Sequence, residues 1–264
     1  MYEPSLFRSV CASTVDHRGN YPVPTSVSFD TRRHEPDAVM KVLVQMEPRE
    51  VLCEDLLQGA GDFDLVLAWD EAFLKLPNAE LFPFGQCWID WETFVPDKGD
   101  MVSFLTSDKT LTAGHALRQC IWEDMKPWET LYGADDYPFD LMAHRSPPWA
   151  PSKNPFYESA KFSIVVENVR QKNWFTEKII DCFATQTVPI YWGCPNIGEF
   201  FNERGILTFD SEDGLLDVLG KLSPEDYDER FDVMQDNYNR SRDYWGFHGR
   251  IRKRILERIP KLAA

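Results

Sequence analysis

Residues 161–202, KFSIVVENVRQKNWFTEKIIDCFATQTVPIYWGCPNIGEFFN, decide the fold. The apolar run at 162–166 is short and rich in β-branched residues, which fits a buried strand, and it stops at the polar pair Glu167-Asn168. A polar loop follows, and Thr176 is placed to cap a helix over 176–186 with Glu177 and Lys178 in its first turn. A strand over 188–192, a helix over 197–202 and a strand over 206–209 complete the segment. Upstream, the same alternation gives a strand at 102–106, a helix at 113–123 and a strand at 139–143. Such βαβα order predicts an α/β fold with a mostly parallel sheet and helices on both faces. In these sheets ligands sit at the carboxyl ends of the strands. A helix N-terminus aimed at such an end offers free N–H groups and a positive dipole to a phosphate or diphosphate, and Lys178 would add a full charge. The plainer alternative, which the residues alone favour, keeps Glu177 and Lys178 as solvated helix-start residues.

Working outward, residues 1–40 hold Pro4, Pro22, Pro24 and Pro36 without sustained periodicity, so loops are expected there. A strand over 39–45 ends at Met46-Glu47-Pro48, a second over 63–69 ends at Asp70-Glu71, and a short extended piece over 81–84 precedes Gly85. Helices fill 211–245, and a last one spans 249–259. The expected organisation is a reduced amino-terminal lobe over 1–100, a larger ligand-binding lobe over 101–245 and a basic carboxyl-terminal helix over 246–264.

The chain has 264 residues, with 28 Lys and Arg against 43 Asp and Glu and a net charge of −15. That balance argues against a nucleic-acid partner, which needs a basic face. With 9 Trp, 9 Tyr and 18 Phe there is ample material for a buried core. No run of about 18 apolar residues occurs, and residues 1–20 lack a basic-then-apolar leader pattern, so a cytoplasmic location is expected. Cys11, Cys53, Cys87, Cys120, Cys182 and Cys194 form no C-x-x-C pair and are expected to be buried free thiols.

The histidines show no metal-ligand spacing, so no zinc site is expected. Asp62-Phe63-Asp64 precedes its strand instead of ending it, which disfavours a metal–diphosphate role. No phosphate-cradling glycine motif of the redox or P-loop kind occurs. His115 is expected to be a water-exposed histidine in a first helical turn. Arg250, Arg252, Lys253, Arg254, Arg258 and Lys261 lie opposite an apolar stripe of Ile251, Ile255, Ile259 and Leu262. That helix is read either as a peripheral contact with an anionic membrane surface or, by preference, as a closing helix packed on the sheet. Trp122, Trp128, Tyr132, Tyr137 and Trp149 are read as core and loop anchors, with stacking on sugar rings as the alternative.

The ordered set E-N, aromatic-T-E-K, V-P-I-Y-W-G and F-N resembles the donor-binding region of the α1,3/1,4-fucosyltransferases, the tenth glycosyltransferase family. The strand, loop and arginine of VSFLTSDKTLTAGHALR (102–118) resemble the opening of that family's donor domain. More weakly, Met46-Glu47-Pro48 and FDLVLAWD (63–70) resemble two of its amino-terminal segments, the first without the family's preceding glycine. The resemblance implies a GT-B-type fold of two Rossmann-like lobes, and an inverting transfer of L-fucose from GDP-fucose to a glycan hydroxyl. Glu47 then matches the proposed general base, and Arg118 and Lys178 the diphosphate-binding cations. Asn168 and Glu177 match residues that hold the nucleotide sugar, and Trp174 or Phe175 fills the aromatic slot before T-E-K. No metal or other cofactor is implied. The alternatives are the same fold with a UDP- or GDP-linked hexose or pentose, and a non-catalytic module that binds a nucleotide sugar or glycan.

Overall fold

The computed structural model of the chain describes residues 13–16, 21–52, 54–89, 96–131, 141–146 and 153–262. It divides into two compact units, Met1–Phe84 with Lys172–Trp174 and Phe247–Ala264, and Gly85–Gln171 with Phe175–Gly246. Each carries its own sheet.

In the first unit the strands β1 (Ser13–Asp16), β2 (Thr25–Phe29), β3 (Met40–Val44), β4 (Leu65–Ala68) and β5 (Ala79–Leu81) lie in the order β1-β2-β3-β4-β5. Only the β1 pairing is antiparallel. Every residue of β2 and β4 is buried, as a parallel sheet covered on both faces requires. The strand β2 corrects the expectation of loops over 1–40. Its sequence TSVSF has no apolar run, yet it can be buried because its hydroxyls find main-chain partners. Ser28 Oγ donates to Arg33 O at 2.5 Å, and Ser26 Oγ accepts the Glu35 N–H at 3.0 Å. The connections carry 3-10 turns at Arg49–Val51, Leu57–Asp62 and Phe73–Lys75 where full crossover helices would be usual.

The last helix, α7 (Phe247–Leu262), belongs to this unit and not to a separate segment. Phe247 packs its ring 5.4 Å from Phe84 and 5.9 Å from Phe82, and Ile251 and Ile255 are buried. Arg250 donates to Pro83 O at 2.9 Å while its guanidinium lies 4.3 Å from the centre of the Phe82 ring. The helix is therefore packed on its unit through the predicted stripe, with Arg252 and Lys253 exposed. No described helix is long and apolar enough to cross a membrane.

The second unit contains β6 (Asp100–Ser107), β7 (Leu141–Ser146), β8 (Ala160–Val166), β9 (Val188–Trp192) and β10 (Leu207–Thr208), all parallel, in the order β10-β9-β8-β6-β7. With them go helices α1 (Ala113–Leu131), α2 (Asn154–Glu158), α3 (Glu177–Ala184), α4 (Glu212–Leu219), α5 (Pro224–Asp228) and α6 (Phe231–Ser241). Successive residues of β8 serve opposite faces. Phe162, Ile164 and Val166 pack with Ile121 and Trp122 of α1 and Leu215 and Leu219 of α4, while Val165 packs with Ile179, Ile180 and Phe183 of α3. The helix expected over 197–202 is only a 3-10 turn, Ile197–Glu199, because Phe200 and Phe201 are drawn into the α3 side of the core. Trp122 is buried, in line with an anchoring role; the side chains of Trp128, Tyr132, Tyr137 and Trp149 lie outside the described residues.

Strand order reverses between β6 and β8: the chain passes from β6 to β7 on one side, then returns to place β8, β9 and β10 on the other. The carboxyl ends of β6 and β8 flank the crevice where open α/β sheets bind ligands.

Candidate functional site

Around the carboxyl end of β8 gather the start of α1 and the start of α3. Glu167, the first residue past β8, is fully buried. Its Oε1 accepts the Thr176 N–H and its Oε2 the Thr176 hydroxyl, each at 2.8 Å. Thr176 caps α3 as its sequence predicts, with its side chain accepting from Lys178 N. Lys178 folds back over this cap, its Nζ 3.0 Å from Thr176 Oγ1 and 3.5 Å from both Glu167 Oε2 and Glu177 Oε1. Burial raises the Glu167 carboxyl above its ordinary range, against the pull of Lys178.

The start of α1 is bonded to the same place. Asn168 O accepts the Thr112 hydroxyl at 2.5 Å and the Gly114 N–H at 2.9 Å. His115 Nδ1 lies 2.6 Å from Thr112 Oγ1, and with that hydroxyl proton engaged by Asn168 O, the ring acts as an Nδ1–H donor. His115 is 3% exposed, which corrects the expectation of a water-exposed ring. Burial, then the charges of Arg118, Lys109 and Lys178, pull its pKa down to about 3, so it is neutral.

Arg118, one turn along α1, is 4% exposed. It donates through Nη1 to Val166 O at 2.7 Å and through Nη2 to Asn168 Oδ1 at 2.8 Å. Among the described residues its buried Nε has no hydrogen-bond partner. Burial brings its pKa down to about 10, partly restored by the charges of Glu167 and Glu177. A buried cation with an unsatisfied donor is costly unless an anion completes it.

Glu177 is itself buried, which overturns the solvated helix-start alternative for that residue, whereas Lys178 is half-buried. Although burial opposes ionisation, Lys178 and Lys153 prevail and hold its carboxyl down at about 2. Lys153 spans Glu177 Oε1 at 3.5 Å and Asp181 Oδ2 at 3.1 Å, and its Nζ lies 4.4 Å from the Trp88 ring centre. Asp181 also accepts the Trp88 N–H at 2.7 Å. Sequence reasoning missed Lys153 and Asp181. The available signal was Glu177 and Asp181 four apart on a helix that is otherwise apolar after Lys178.

Asp181 carries a pH signature. Burial raises its carboxyl to about 6 from 3.8, against the pull of Lys153, so the folded state holds this proton more tightly than the unfolded chain. Its contribution to stability is full below the unfolded value and is lost as pH rises through the folded one. Its share of the stability is expected to fall between about pH 4 and pH 6.5, and Asp181→Asn to remove that share from the melting-temperature slope in calorimetry. An unchanged slope in the variant would refute the assignment.

In the first unit Glu47 lies three residues past β3 and is half-buried. The aromatic slot is not an open one. Trp174 is fully buried in the first unit, donating its indole N–H to Met46 O at 2.9 Å. Phe175 is fully buried in the second, 5.0 Å from Phe200 and 5.2 Å from Tyr244. Both rings pack within the protein, which corrects their placement as contacts for a nucleotide sugar. Of the cysteines, Cys182 and Cys194 are buried, Cys87 is half-buried and Cys120 is exposed, while Cys11 and Cys53 lie outside the described residues. Asp64 of the D-x-D accepts the Lys41 N–H at 2.8 Å. Among the described residues no three His, Cys, Asp or Glu side chains are grouped to hold a metal.

Crystal structures of an α1,3-fucosyltransferase with GDP and with GDP-fucose each align with this chain at a TM-score of 0.50, with 15% and 16% sequence identity, covering 86% of this chain and 77% of theirs. The chain has a fucosyltransferase-like GT-B fold. A stretch of 74 residues is 35% identical to the α-(1,3)-fucosyltransferase FucT of Helicobacter pylori, spanning 27% of this chain and 16% of that relative's length. No family model matches the chain. Both likenesses are to α1,3-fucosyltransferases.

Proposed function

We propose that the protein is an inverting glycosyltransferase that moves L-fucose from GDP-fucose to a hydroxyl of a glycan acceptor, without a metal. The observation behind this reading is the arrangement at the end of β8: a capped helix N-terminus carrying Lys178, beside a buried Arg118 whose Nε lacks a partner. Such a cluster suits a diphosphate, whose charge grows as it leaves. The solved structures it resembles in fold carry GDP and GDP-fucose, which supports the choice of nucleotide. In the reaction the acceptor oxygen attacks C1 of the sugar and the C1–O bond to the diphosphate breaks, its electron pair leaving with GDP. Glu47 takes the acceptor proton. Asn168 and Glu177 hold hydroxyls of the donor, Glu177 as a carboxylate that stays ionised throughout the neutral range.

Thermal stabilisation by GDP, UDP, GDP-fucose and GDP-mannose, each with and without Mn²⁺, tests the donor. A ligand at about 100 times its Kd adds roughly 2.7 kcal/mol to the folded state. A shift specific to guanine nucleotides and indifferent to metal is expected. A uridine-selective or metal-dependent shift overturns the donor, and no shift with any nucleotide overturns the whole reading. Glu47→Gln is expected to lower transfer about 10²- to 10⁴-fold while leaving the GDP shift intact. Full turnover in that variant removes Glu47 from the mechanism.

A further inference from the structure

The turn that carries Glu47 is held by side chains to which the proposed reaction gives no part. Asp30 directly follows β2, is 5% exposed, and takes a left-handed backbone with φ of 50°. Aspartate tolerates that region better than most residues, but it remains an uncommon conformation. Its two carboxylate oxygens take two consecutive amides: Oδ1 accepts the Met46 N–H at 2.8 Å and Oδ2 the Glu47 N–H at 3.1 Å. The carbonyl of Met46 accepts two indole N–H groups, from Trp69 at 3.1 Å and from Trp174 at 2.9 Å. Those two rings sit 5.9 Å apart and are both buried. The Met46–Glu47 peptide is therefore gripped at its N–H and at its C=O, by groups brought from three separate stretches of chain.

A buried carboxylate and a left-handed non-glycine backbone both work against stability. Here they converge on the amide of one half-buried glutamate. Burial raises the Asp30 carboxyl to about 7, the charge of Glu47 adds to the rise, and the two amide bonds draw it back.

We propose that Asp30, with Trp69 and Trp174, is the positioning residue for Glu47, fixing the backbone from which its carboxylate reaches the acceptor proton. This rests on Glu47 being the base. Misplacing a reacting group by about 1 Å can cost ~10²-fold in rate, so such a grip has leverage on turnover without touching donor binding.

The test uses Asp30→Asn, Glu47→Gln and the double variant, read by initial transfer rate, GDP-induced thermal shift and amide hydrogen exchange. Asparagine tolerates the left-handed backbone but offers one acceptor oxygen where aspartate offers two. Asp30→Asn is expected to speed exchange at Met46 and Glu47 and to lower kcat about 10- to 100-fold with the GDP shift unchanged. In the Glu47→Gln background it should lower kcat no further, since a residue that acts through Glu47 has nothing left to position. If Glu47→Gln keeps full turnover, the base assignment fails. If Glu47→Gln is impaired while Asp30→Asn matches the unsubstituted protein in rate or exchange, or lowers kcat equally in both backgrounds, the positioning role alone is overturned. Should Asp30→Asn not fold, Trp174→Phe removes one indole N–H and keeps a buried ring; it must then lower kcat and leave the GDP shift, or the proposal falls.

Discussion

Lys178→Ala is expected to abolish stabilisation by GDP and to lower transfer about 10³-fold, at the upper end of what one preorganised electrostatic donor contributes. Its ammonium lies at the end of β8 with a side chain 26% exposed, and its partners hold it over the capped start of α3. The two carboxylates beside it are buried, so its removal changes more than one charge. Glu167 and Glu177 would each lose a cation, Glu177 would depend on Lys153 alone, and its carboxyl would rise from about 2. Lys178→Arg keeps the charge and should retain most of the GDP shift. Arg118→Ala acts differently, because it leaves Val166 O and Asn168 Oδ1 without their present donor. A buried group stripped of its partner costs about 1–3 kcal/mol, so that variant should lose stability and transfer together. Arg118→Lys keeps the charge but replaces the planar fork with a point charge on a shorter reach, and should fall between the two. Initial rates and GDP titrations on folded protein check the set. A GDP shift that survives Lys178→Ala would remove Lys178 from diphosphate binding.

The second unit was legible because its chemistry and its periodicity coincide. The strand β8 is a short apolar run ending in polar residues, and Thr176 announces the start of α3 by residue type alone. The first unit was less so, since β2 hides buried strand residues behind hydroxyls that bond to the main chain 5 to 9 residues away. Two further features lay beyond any local pattern. The burial of Arg118 and His115 depends on how α1 meets the end of β8, fixed by residues 48 to 56 positions apart. Trp174 lies two residues before T-E-K in sequence, yet its hydrogen bond reaches Met46, 128 residues away. Adjacency to a motif therefore says little about what a ring touches.

Gly114→Ala is expected to damage the same site without removing a functional group. A Cβ at Gly114 would overlap Glu167 O outright and stand 2.7 Å from Asn168 O. Both are backbone atoms at the end of a central strand, with no rotamer to give way. Helix propensity favours alanine over glycine by about 1 kcal/mol, but overpacking costs about 1–3 kcal/mol and each lost hydrogen bond another 0.5–1.5 kcal/mol. The bonds at risk are those from Thr112 and Gly114 to Asn168 O, so the balance is a net loss of about 3 kcal/mol. Because Arg118 rides on the same helix, the retreat of α1 should also withdraw its guanidinium from Asn168 and weaken GDP binding. Gly249→Ala supplies the contrast: it lies in α7 with no atom within 4 Å of its added Cβ, so propensity acts unopposed and the change should be neutral or stabilising by up to about 1 kcal/mol. Calorimetry of the two variants decides the matter. Equal melting temperatures would mean that α1 can shift freely, and a helix free to shift could not hold Arg118 in one place against a leaving diphosphate.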